Sequence, residues 1–508
     1  MRTISRRDFL KIASVGSGAL ISVASKTRVN PLHVQSNLPN IIIIVFDAMS
    51  ASNLSLYGYP RDTTPNLEKF AQRAAVYHAH YASGSFTTPG TASLMTGTYP
   101  WMHRAINLFG LIERGLTKNN FFNVVGSQYE RLAFSQNILP NYFLEQFSND
   151  LDVVLNPASF SLANYLYGAR FGKDRGMGYR VQDFLALEEP TVLSHSLLFG
   201  PFVNYVLEQR RAAISKDVYP LGMPQVKNGA FLFTLRDLMD GMADTITNAF
   251  KPYMHYFHVM APHEPYRPDG RFFGRYDEDK FNFVKEHASF DTGHKQKQLD
   301  ENRRYYDAFI ANIDYELGRL LDELERNKVF DDSYLIITSD HGEMFERGVE
   351  GHLTRHLYEP GIRIPLLISR PGQQIRKDIF TPTNNVDILP TLSQITHGSV
   401  PDWSEGKVLP GLGGVEDVER SVFTVDAKSN SAFQPLKKAT FAMRRGEYKL
   451  IYYTGYEFDD FFELYDVHND PEEVMDLYRS NPSILKSMKV ELLHTIDQQN
   501  KRLLSKRG

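Results

Sequence analysis

Apolar and polar positions along the middle of the chain alternate between short buried runs and amphipathic segments. Residues 40–46 form an aliphatic run that ends directly before Asp47, which is typical of a strand buried on both faces of a parallel sheet. Residues 301–327 carry apolar side chains at helical spacing, and residues 333–338 form another apolar run. Strands that alternate with amphipathic helices predict an α/β fold.

Further segments extend this alternation. Thr64 and Pro65 predict the start of a helix over residues 67–75, because proline is favoured in the first helical turn. Residues 362–368 predict another strand, and the segment that starts at Val386 predicts a helix.

The last hundred residues have a different pattern. Beyond Trp403, short alternating segments predict a small antiparallel sheet, and an amphipathic segment predicts a closing helix. The predicted strands cover residues 421–426, 439–443 and 448–453, and the predicted helix covers residues 484–502.

The region 102–250 is rich in aromatic residues, and its elements are irregular. We interpret it as a variable insertion, partly helical, that covers the functional site. The chain is thus predicted to contain a targeting segment over 1–30, a catalytic α/β domain over 38–400 and a C-terminal subdomain over 401–508.

Composition excludes several function classes. The chain has 508 residues and a formal net charge of -4, with no long run of one sign, so no nucleic-acid partner is expected. It contains no cysteine, which excludes disulfides, zinc-thiolate sites and thiol nucleophiles.

The first thirty residues predict an export signal. The motif S-R-R-D-F-L-K at residues 5–11 precedes a weakly apolar stretch over 12–24, as in a twin-arginine signal. That stretch is shorter than the roughly 20 residues of a membrane-spanning helix. We therefore expect the twin-arginine export machinery as a partner and a periplasmic or extracellular location, with membrane anchoring left open if the signal is not cleaved.

Candidate metal ligands occur where predicted strands end. Asp47 follows the first strand, and Asp340 with His341 follows the strand over 333–338. Open α/β sheets bind ligands at the carboxyl ends of their strands. Each of these residues is also common in helix caps and loops, so none of them decides the function alone.

Candidate catalytic groups lie in other segments. Thr87 begins T-T-P-G-T, at a predicted helix start, where backbone N–H groups suit an anionic ester. His263 lies in P-H-E-P-Y, and His352 follows Gly351. A lone loop histidine is usually a surface or hydrogen-bonding residue, so neither histidine alone indicates catalysis.

The order and spacing of these segments resemble the sulfatase branch of the alkaline phosphatase superfamily. The matching segments are F-D at 46–47, L-S-L-Y-G-Y at 54–59, T-P-N-L at 64–67, T-T-P-G-T at 87–91, S-L-M-T-G-T-Y-P at 93–100, S-D-H-G-E at 339–343, L-Y-E at 357–359, R-I-P-L at 363–366, E-L-Y-D at 463–466 and D-P-E-E at 470–473. The resemblance implies an alkaline-phosphatase-like three-layer sandwich with a mostly parallel central sheet, plus a small C-terminal antiparallel-sheet subdomain.

By the same resemblance, Asp47, Asp340 and His341 hold one divalent metal, and the Thr87 oxygen completes the ligand set. Mixed oxygen and nitrogen ligands favour zinc or manganese, while calcium remains possible. A bound metal would polarise the Thr87 hydroxyl and make it the nucleophile.

The resemblance also assigns His263 and His352 to catalysis. In the family these places contact the transferred group or protonate the leaving oxygen. Arg355 and His356 lie close to His352 in sequence and are lower-ranked alternatives to it.

Three positions depart from the family pattern. Thr87 stands where sulfatases carry the cysteine or serine that becomes formylglycine, and Thr91 stands where they carry an arginine. Ala48 replaces a further metal-binding aspartate. Threonine cannot be converted to the aldehyde by the usual route, which favours phosphorus chemistry and resembles the phosphoethanolamine and glycerol-phosphate transferases of the superfamily.

These departures leave three hypotheses. The first is a hydrolase or transferase of phosphate esters, with phosphodiesters preferred, that works through a covalent Thr87 intermediate. The second is a sulfatase without formylglycine, and the third is a non-catalytic, metal-stabilised glycan-binding protein. The expected substrate is a phosphorylated or sulfated small molecule, lipid or glycan.

Overall fold

The computed structural model describes residues 38–160, 218–225, 232–279, 281, 284–286, 288, 293–480 and 482–505. The chain separates into two units, residues 1–37 and residues 38–508. The predicted twin-arginine signal lies outside the described residues. In the part of the chain that is described, no helix has the length and apolarity needed to cross a membrane.

Strands and helices alternate through the larger unit. The strands are β1 Asn40–Phe46, β2 Ala75–Tyr77, β3 His80–Tyr81, β4 Glu130–Ser135, β5 Val153–Val154, β6 Tyr253–Val259, β7 Ser333–Ser339, β8 Met344–Glu346, β9 Val349–Gly351, β10 Leu366–Ser369, β11 Lys377–Ile379, β12 Thr383–Asn384, β13 Val422–Asp426, β14 Ala439–Arg445, β15 Tyr448–Thr454 and β16 Phe461–Asp466. The α-helices are Pro65–Ala71, Thr87–Thr96, Pro100–His103, Phe121–Val125, Ile138–Gln146, Leu235–Thr247, Gln296–Arg326, Glu359–Ile362, Ile388–Ile395 and Pro482–Ser505.

A central sheet with the strand order β11-β2-β10-β7-β1-β6-β4-β5 organises the molecule. β1 pairs in parallel with both β6 and β7, and β4 pairs in parallel with β6. β10 is antiparallel to β7 and β2. The sheet is therefore mostly parallel, as predicted, and β1 lies at its centre.

Helices cover both faces of this sheet. Alternate residues of β1 point to opposite sides, so that Ile42 and Ile44 join one apolar core while Ile41 and Ile43 join another. The first core includes side chains of the helices Pro65–Ala71, Leu235–Thr247 and Gln296–Arg326. The second includes side chains of Thr87–Thr96, Phe121–Val125, Ile138–Gln146 and Ile388–Ile395. The three-layer sandwich is thus confirmed.

The C-terminal region forms a separate antiparallel sheet with the order β13-β14-β15-β16. The final helix packs against it, since Met488 and Leu492 share a core with Phe441 and Leu450. This confirms the predicted small antiparallel sheet, and β16 extends it by one strand.

Three sequence expectations need correction. The helix expected over 67–75 ends at Ala71, and Ala75 begins β2 instead, because residues 75–77 are buried between β10 and β11. The strand expected from residue 362 begins at Leu366, since the Glu359–Ile362 turn and Pro365 precede it. Residues 130–135, which fall in the expected insertion, form β4 of the central sheet.

A buried ion cluster joins the C-terminal sheet to the short helix Glu359–Ile362. Lys449 of β15 has no exposed side-chain surface; its Nζ lies 3.0 Å from Glu359 Oε1 and also contacts Glu473. A charge removed from such a site leaves its partners uncompensated in a poorly solvated environment.

We expect Lys449→Met to lower the free energy of unfolding by about 3–5 kcal/mol, because two buried carboxylates lose their cation. Urea unfolding measures this change. The matched control is Lys501→Met, whose side chain is 73% exposed beside Asp497 and should change stability by less than about 1 kcal/mol. Equal effects of the two substitutions would contradict a stabilising role for the cluster.

Candidate active site

Three adjacent strands bring charged side chains to one edge of the central sheet. β1 and β7 end at paired residues, so Asp47 and Asp340, which follow them, lie side by side. β6 pairs with the other side of β1 and brings His258 to the same edge. All three side chains are completely buried.

Three of these groups converge on one point, and His341 lies beside the two carboxylates. Asp47, His258 and Asp340 each offer a ligand atom within 4.8 Å of the others. His258 Nε2 lies 3.3 Å from Asp47 Oδ2 and 3.7 Å from Asp340 Oδ2. His341 Nε2 lies 3.3 Å from Asp47 Oδ1 and 3.8 Å from Asp340 Oδ2. The structure therefore brings the predicted ligands together and adds His258 to them.

The imidazole rings are oriented by their other nitrogen atoms. His341 Nδ1 lies 2.8 Å from the carbonyl oxygen of Gly342. Because a carbonyl only accepts, this nitrogen carries the proton and leaves a lone pair on Nε2. His258 Nδ1 lies 2.9 Å from the hydroxyl of Tyr256. Both Nε2 atoms thus face the two carboxylates.

The two buried carboxylates of the cluster are stabilised by positive charge. Burial, together with the charge of Asp47, raises the pKa of Asp340. Burial opposes ionisation of Asp47 as well, but nearby imidazoles hold the pKa of that carboxyl well below its usual range. Burial lowers the pKa of His341, but the charges of Asp340 and Asp47 outweigh burial and raise that pKa to about 9. A divalent cation at this point would supply the positive charge that a proton otherwise provides.

The donor set indicates which cation fits. Two carboxylates and two imidazoles match the preferences of zinc or manganese, whereas calcium is usually held by oxygen atoms alone. Asn137 supports the arrangement, since its side-chain amide donates to Asp47 Oδ2 over 2.5 Å.

Thr87 begins the helix that points toward this cluster. Its Oγ1 lies 3.2 Å from His341 Nε2 and 3.5 Å from Asp47 Oδ1. The helix has no side-chain cap at its N-terminus, so its first backbone N–H groups can bind anionic oxygens. Gly90 allows the close approach of this helix, because a Cβ there would lie 2.2 Å from the Asp340 carbonyl oxygen.

Two further imidazoles lie beside the cluster. The ring centroids of His263 and His352 are 4.8 Å apart, and those of His341 and His352 are 4.4 Å apart. His352 Nδ1 lies 3.0 Å from Glu343 Oε1. Burial raises the pKa of Glu343 to about 7, although the charges of His263 and His341 oppose that rise. Burial and the same two imidazoles lower the pKa of His352 well below its usual value.

The two lower-ranked alternatives lie against other side chains. Arg355 lies 3.6 Å from Glu457 and over the ring of Tyr456. His356 stacks on Tyr358. The His352 ring, by contrast, lies against those of His263 and His341, so His352 is the better placed candidate.

Comparison with known families gives the geometry a context. The sulfatase family model matches residues 39–158 and 230–399, which is more than half of the chain. The chain belongs to the sulfatase family. A second model, the C-terminal region of N-sulphoglucosamine sulphohydrolase, matches residues 351–501. The unmatched stretch, 159–229, lies inside the expected insertion, whereas residues 102–158 belong to the matched part.

Sulfatases are also among its curated relatives. A choline-sulfatase of Rhizobium meliloti is 23% identical over 86% of this chain and 82% of its own length. An N-acetylgalactosamine-6-O-sulfatase of Bacteroides thetaiotaomicron is 22% identical over 91% of this chain and 93% of its own length. Their family identity agrees with an ester hydrolase.

Solved structures share the same fold. A phosphonate monoester hydrolase from Silicibacter pomeroyi has a TM-score of 0.64 and 17% identity, over 91% of this chain and 96% of its own. A protein solved with its substrate D-glucosamine-2-N,6-O-disulfate has a TM-score of 0.60 and 18% identity, over 92% of this chain and 98% of its own. The alkaline-phosphatase-like fold is thereby confirmed.

Two positions expected from the sequence to depart from the family pattern contact Asp340. Thr91 donates its hydroxyl to Asp340 Oδ2 over 3.3 Å. Ala48 has a left-handed backbone with φ 61° and donates its N–H to Asp340 Oδ1 over 3.3 Å. Thr91 and Ala48 therefore orient the Asp340 carboxylate and add no charge to the site.

Sequence reasoning missed His258, Asn137 and Glu343. His258 lies within Y-M-H-Y-F-H-V, where His255 is an equally plausible candidate by sequence. Glu343 belongs to the S-D-H-G-E segment, but only the fold shows its contact with His352. The alternation of β6 was the one available signal for His258, since it places residues 254, 256 and 258 on the same face.

We expect His258→Gln to weaken zinc binding by about 10- to 100-fold, because it removes an imidazole that faces both carboxylates. Competition with a chromophoric chelator measures this affinity without turnover. His255→Gln on the same strand is the control, as the His255 ring packs against that of Tyr253, with the two centroids 4.5 Å apart. If both variants bind zinc equally tightly, His258 has no role toward the metal.

Proposed function

We propose that this protein is a metal-dependent phosphate-ester hydrolase or transferase, with a preference for phosphodiesters, that works through a covalent Thr87 intermediate. The placement of Thr87 Oγ1 carries this proposal. The hydroxyl lies 3.2 Å from His341 Nε2 and 3.5 Å from Asp47 Oδ1, at the N-terminus of a helix and beside the candidate metal ligands.

Asp47, His258, Asp340 and His341 would hold the cation. When bound, a divalent cation lowers the cost of forming the Thr87 alkoxide and neutralises an anionic ester oxygen. Zinc or manganese fits this donor set best. Metal analysis of protein purified without chelators tests the identity of the cation.

In the first step, the Thr87 hydroxyl gives up its proton to solvent, Oγ1 attacks phosphorus, and the bond from phosphorus to the leaving oxygen breaks. His263 in its imidazolium form gives its Nε2 proton to that oxygen as it leaves, since its Nδ1 proton is bound by the Glu264 carbonyl and only Nε2 is turned to the substrate. The helix N-terminus binds the remaining phosphoryl oxygens.

In the second step, water or an acceptor alcohol attacks phosphorus, the bond from phosphorus to Thr87 Oγ1 breaks, and Oγ1 takes up a proton that restores the hydroxyl, while solvent returns the proton of His263. His352 accepts the proton of the attacking hydroxyl, since Glu343 holds its Nδ1 and its lowered pKa favours the neutral ring. Phosphorus can be attacked in this way directly, so the mechanism needs no formylglycine.

The charge of the site favours esters with one negative charge. The partners described for Asp47, Thr87, Asp340 and His341 are carboxylates, imidazoles, hydroxyls, an amide and backbone groups, rather than lysine or arginine. The two carboxylates already balance a divalent cation, so a second substrate charge would lack a partner. Phosphodiesters satisfy this limit, whereas phosphomonoesters carry two charges near neutral pH.

A sulfatase without formylglycine is the second candidate. Sulfate monoesters also carry a single negative charge, and the curated relatives include a choline-sulfatase and an N-acetylgalactosamine-6-O-sulfatase. This candidate must explain how a sulfated threonine is released, because Thr87 offers no geminal hydroxyl to expel the sulfate.

A paired assay separates the two candidates. The zinc- or manganese-loaded protein is incubated with bis(4-nitrophenyl) phosphate and with 4-nitrophenyl sulfate under the same conditions. We expect turnover of the phosphodiester to exceed that of the sulfate by at least about 100-fold, a preference of about 2.7 kcal/mol. Sulfate turnover alone would favour the second candidate.

We also propose that the protein is exported through the twin-arginine pathway, on the basis of the S-R-R-D-F-L-K motif at residues 5–11. Fractionation of cells that express the chain with Arg6→Lys and Arg7→Lys tests this localisation. The variant should remain in the cytoplasm, and export of the variant at the level of the original chain would contradict the proposal.

A further inference from the structure

We propose that an apolar rim at the mouth of the active site binds the alcohol part of the substrate, and that this part is an alkyl or aryl group rather than a sugar. The rim consists of Leu108, Phe109, Leu353 and Phe433. Their exposed fractions are 39%, 61%, 49% and 63%. The inference rests on the proposed active site and adds the chemical class of the substrate.

Two contacts place the rim beside the reacting groups. Thr88, the residue after the proposed nucleophile, donates its hydroxyl to the carbonyl oxygen of Leu108. Leu353 directly follows His352, whose ring contacts that of His263. The rim therefore continues from both sides of the site that would hold the phosphoryl group.

Hydrogen bonds hold the loops that carry the rim. Asn107 Nδ2 donates to the carbonyl oxygens of Lys428 and Asn430 over 2.8 and 2.9 Å. Arg104 Nε donates to the carbonyl oxygen of Ala432 over 2.8 Å, and its Nη2 donates to that of Gln434 over 2.6 Å. The loop with Phe433 is thus fixed to the loop with Leu108 and Phe109.

A third link includes the segment with Leu353. Lys428 Nζ donates to the carbonyl oxygen of Thr354 over 2.7 Å and pairs with Asp426 Oδ2 at 2.7 Å. The lysine charge is therefore engaged within the protein. Hydrogen bonds thus join the three rim segments, and each segment carries at least one exposed apolar side chain.

The chemistry of this surface selects an apolar occupant. Single exposed apolar residues are common on proteins, but several of them around one site indicate a ligand-binding surface. Phe109 and Phe433 can contact a ring or an alkyl chain, and each methylene removed from water adds to the affinity. A sugar would instead need hydroxyl partners, which these four side chains do not provide.

The test measures binding rather than turnover. Metal-loaded Thr87→Ala protein is titrated by calorimetry with dimethyl phosphate and with methyl n-hexyl phosphate, which differ only in chain length. We expect the hexyl ligand to bind at least about tenfold more tightly. In Phe109→Ala/Phe433→Ala this ratio should fall below about threefold, because the apolar surface is removed. Val415→Ala/Val418→Ala, at exposed positions after β12, is the control and should keep the full ratio.

Parallel titrations with methyl sulfate and n-hexyl sulfate separate this inference from the choice between phosphorus and sulfur. A chain-length preference for sulfates alone would support the rim while it contradicts the phosphodiester proposal. Equal affinities within both ligand pairs, or no detectable binding of either hexyl ligand, would overturn the inference. Co-sedimentation with phosphatidylcholine vesicles without a chain-length preference would also overturn it, since the rim would then dock on a bilayer.

Discussion

Thr87→Ala is expected to lower kcat/KM for a phosphodiester by at least about 1000-fold, because it removes the proposed nucleophile and leaves only binding and electrostatic stabilisation. The helix should persist in this variant, since Thr87 makes its described side-chain contacts with the metal cluster rather than with a helix cap. Steady-state kinetics with the metal-loaded protein measure the effect.

Thr87→Ser and Thr87→Val are the matched controls. The serine variant keeps a hydroxyl and should retain activity within about 10- to 50-fold, whereas the isosteric valine variant should behave like alanine. Zinc affinity must be measured in each variant, because the Thr87 oxygen lies close to the ligands. If the alanine or valine variant keeps at least a tenth of the activity with metal bound, Thr87 does not form an intermediate.

Removal of the metal is expected to have the second large effect. Asp47 and Asp340 have no exposed surface, so without a cation they must be balanced by protons or by imidazolium groups. A metal present at about 1000 times its Kd would stabilise the folded protein by about 4 kcal/mol. A chelator should therefore lower the Tm and abolish turnover, and added zinc or manganese should restore both.

Asp340→Asn tests whether this stabilisation comes from the cluster. The variant removes one charge from the ligand set, so we expect a chelator to change its Tm by less than half as much as in the original protein. Asp378→Asn is a suitable control, since Asp378 is 38% exposed and pairs with His78 and Arg376. A chelator that leaves the original protein unchanged in Tm and activity would contradict a metal site at this edge of the sheet.

Part of this site could be predicted from local sequence. Asp47 directly follows the buried strand β1, and Asp340 directly follows β7, whose centre is aliphatic and buried. Such strands place the next residue at a carboxyl edge whatever the details of packing. Thr87 similarly follows from a helix start within a motif. These predictions required only the ends of strands and the start of a helix, and the hydrophobic pattern of the sequence indicates both.

The missing residues depend on the register between distant strands. His258 reaches the cluster because β6 lies against β1 with Val45 opposite it, and no local pattern reveals that register. Asn137 and Glu343 act through side-chain contacts across loops. Sequence reasoning also assigned residues 130–135 to an insertion, because β4 begins with Glu130 and Arg131 and is less uniformly apolar than β1.

The fold therefore explains how one central strand organises the chemistry. β1 is flanked by β6 and β7, so three chain segments far apart in sequence deliver carboxylates and imidazoles to one buried point. The helix from Thr87 approaches that point only because Gly90 lacks a side chain. The placement of Thr87 therefore depends on the close packing of its helix against the residue that follows β7.

The stereochemical course at phosphorus tests the covalent Thr87 mechanism most directly. A phosphodiester that is chiral at phosphorus through oxygen isotopes is turned over in the presence of an acceptor alcohol, and the configuration of the product diester is determined by NMR. Two successive in-line displacements, first by Thr87 and then by the acceptor, predict retention of configuration. Inversion would show a single direct displacement and would contradict the account.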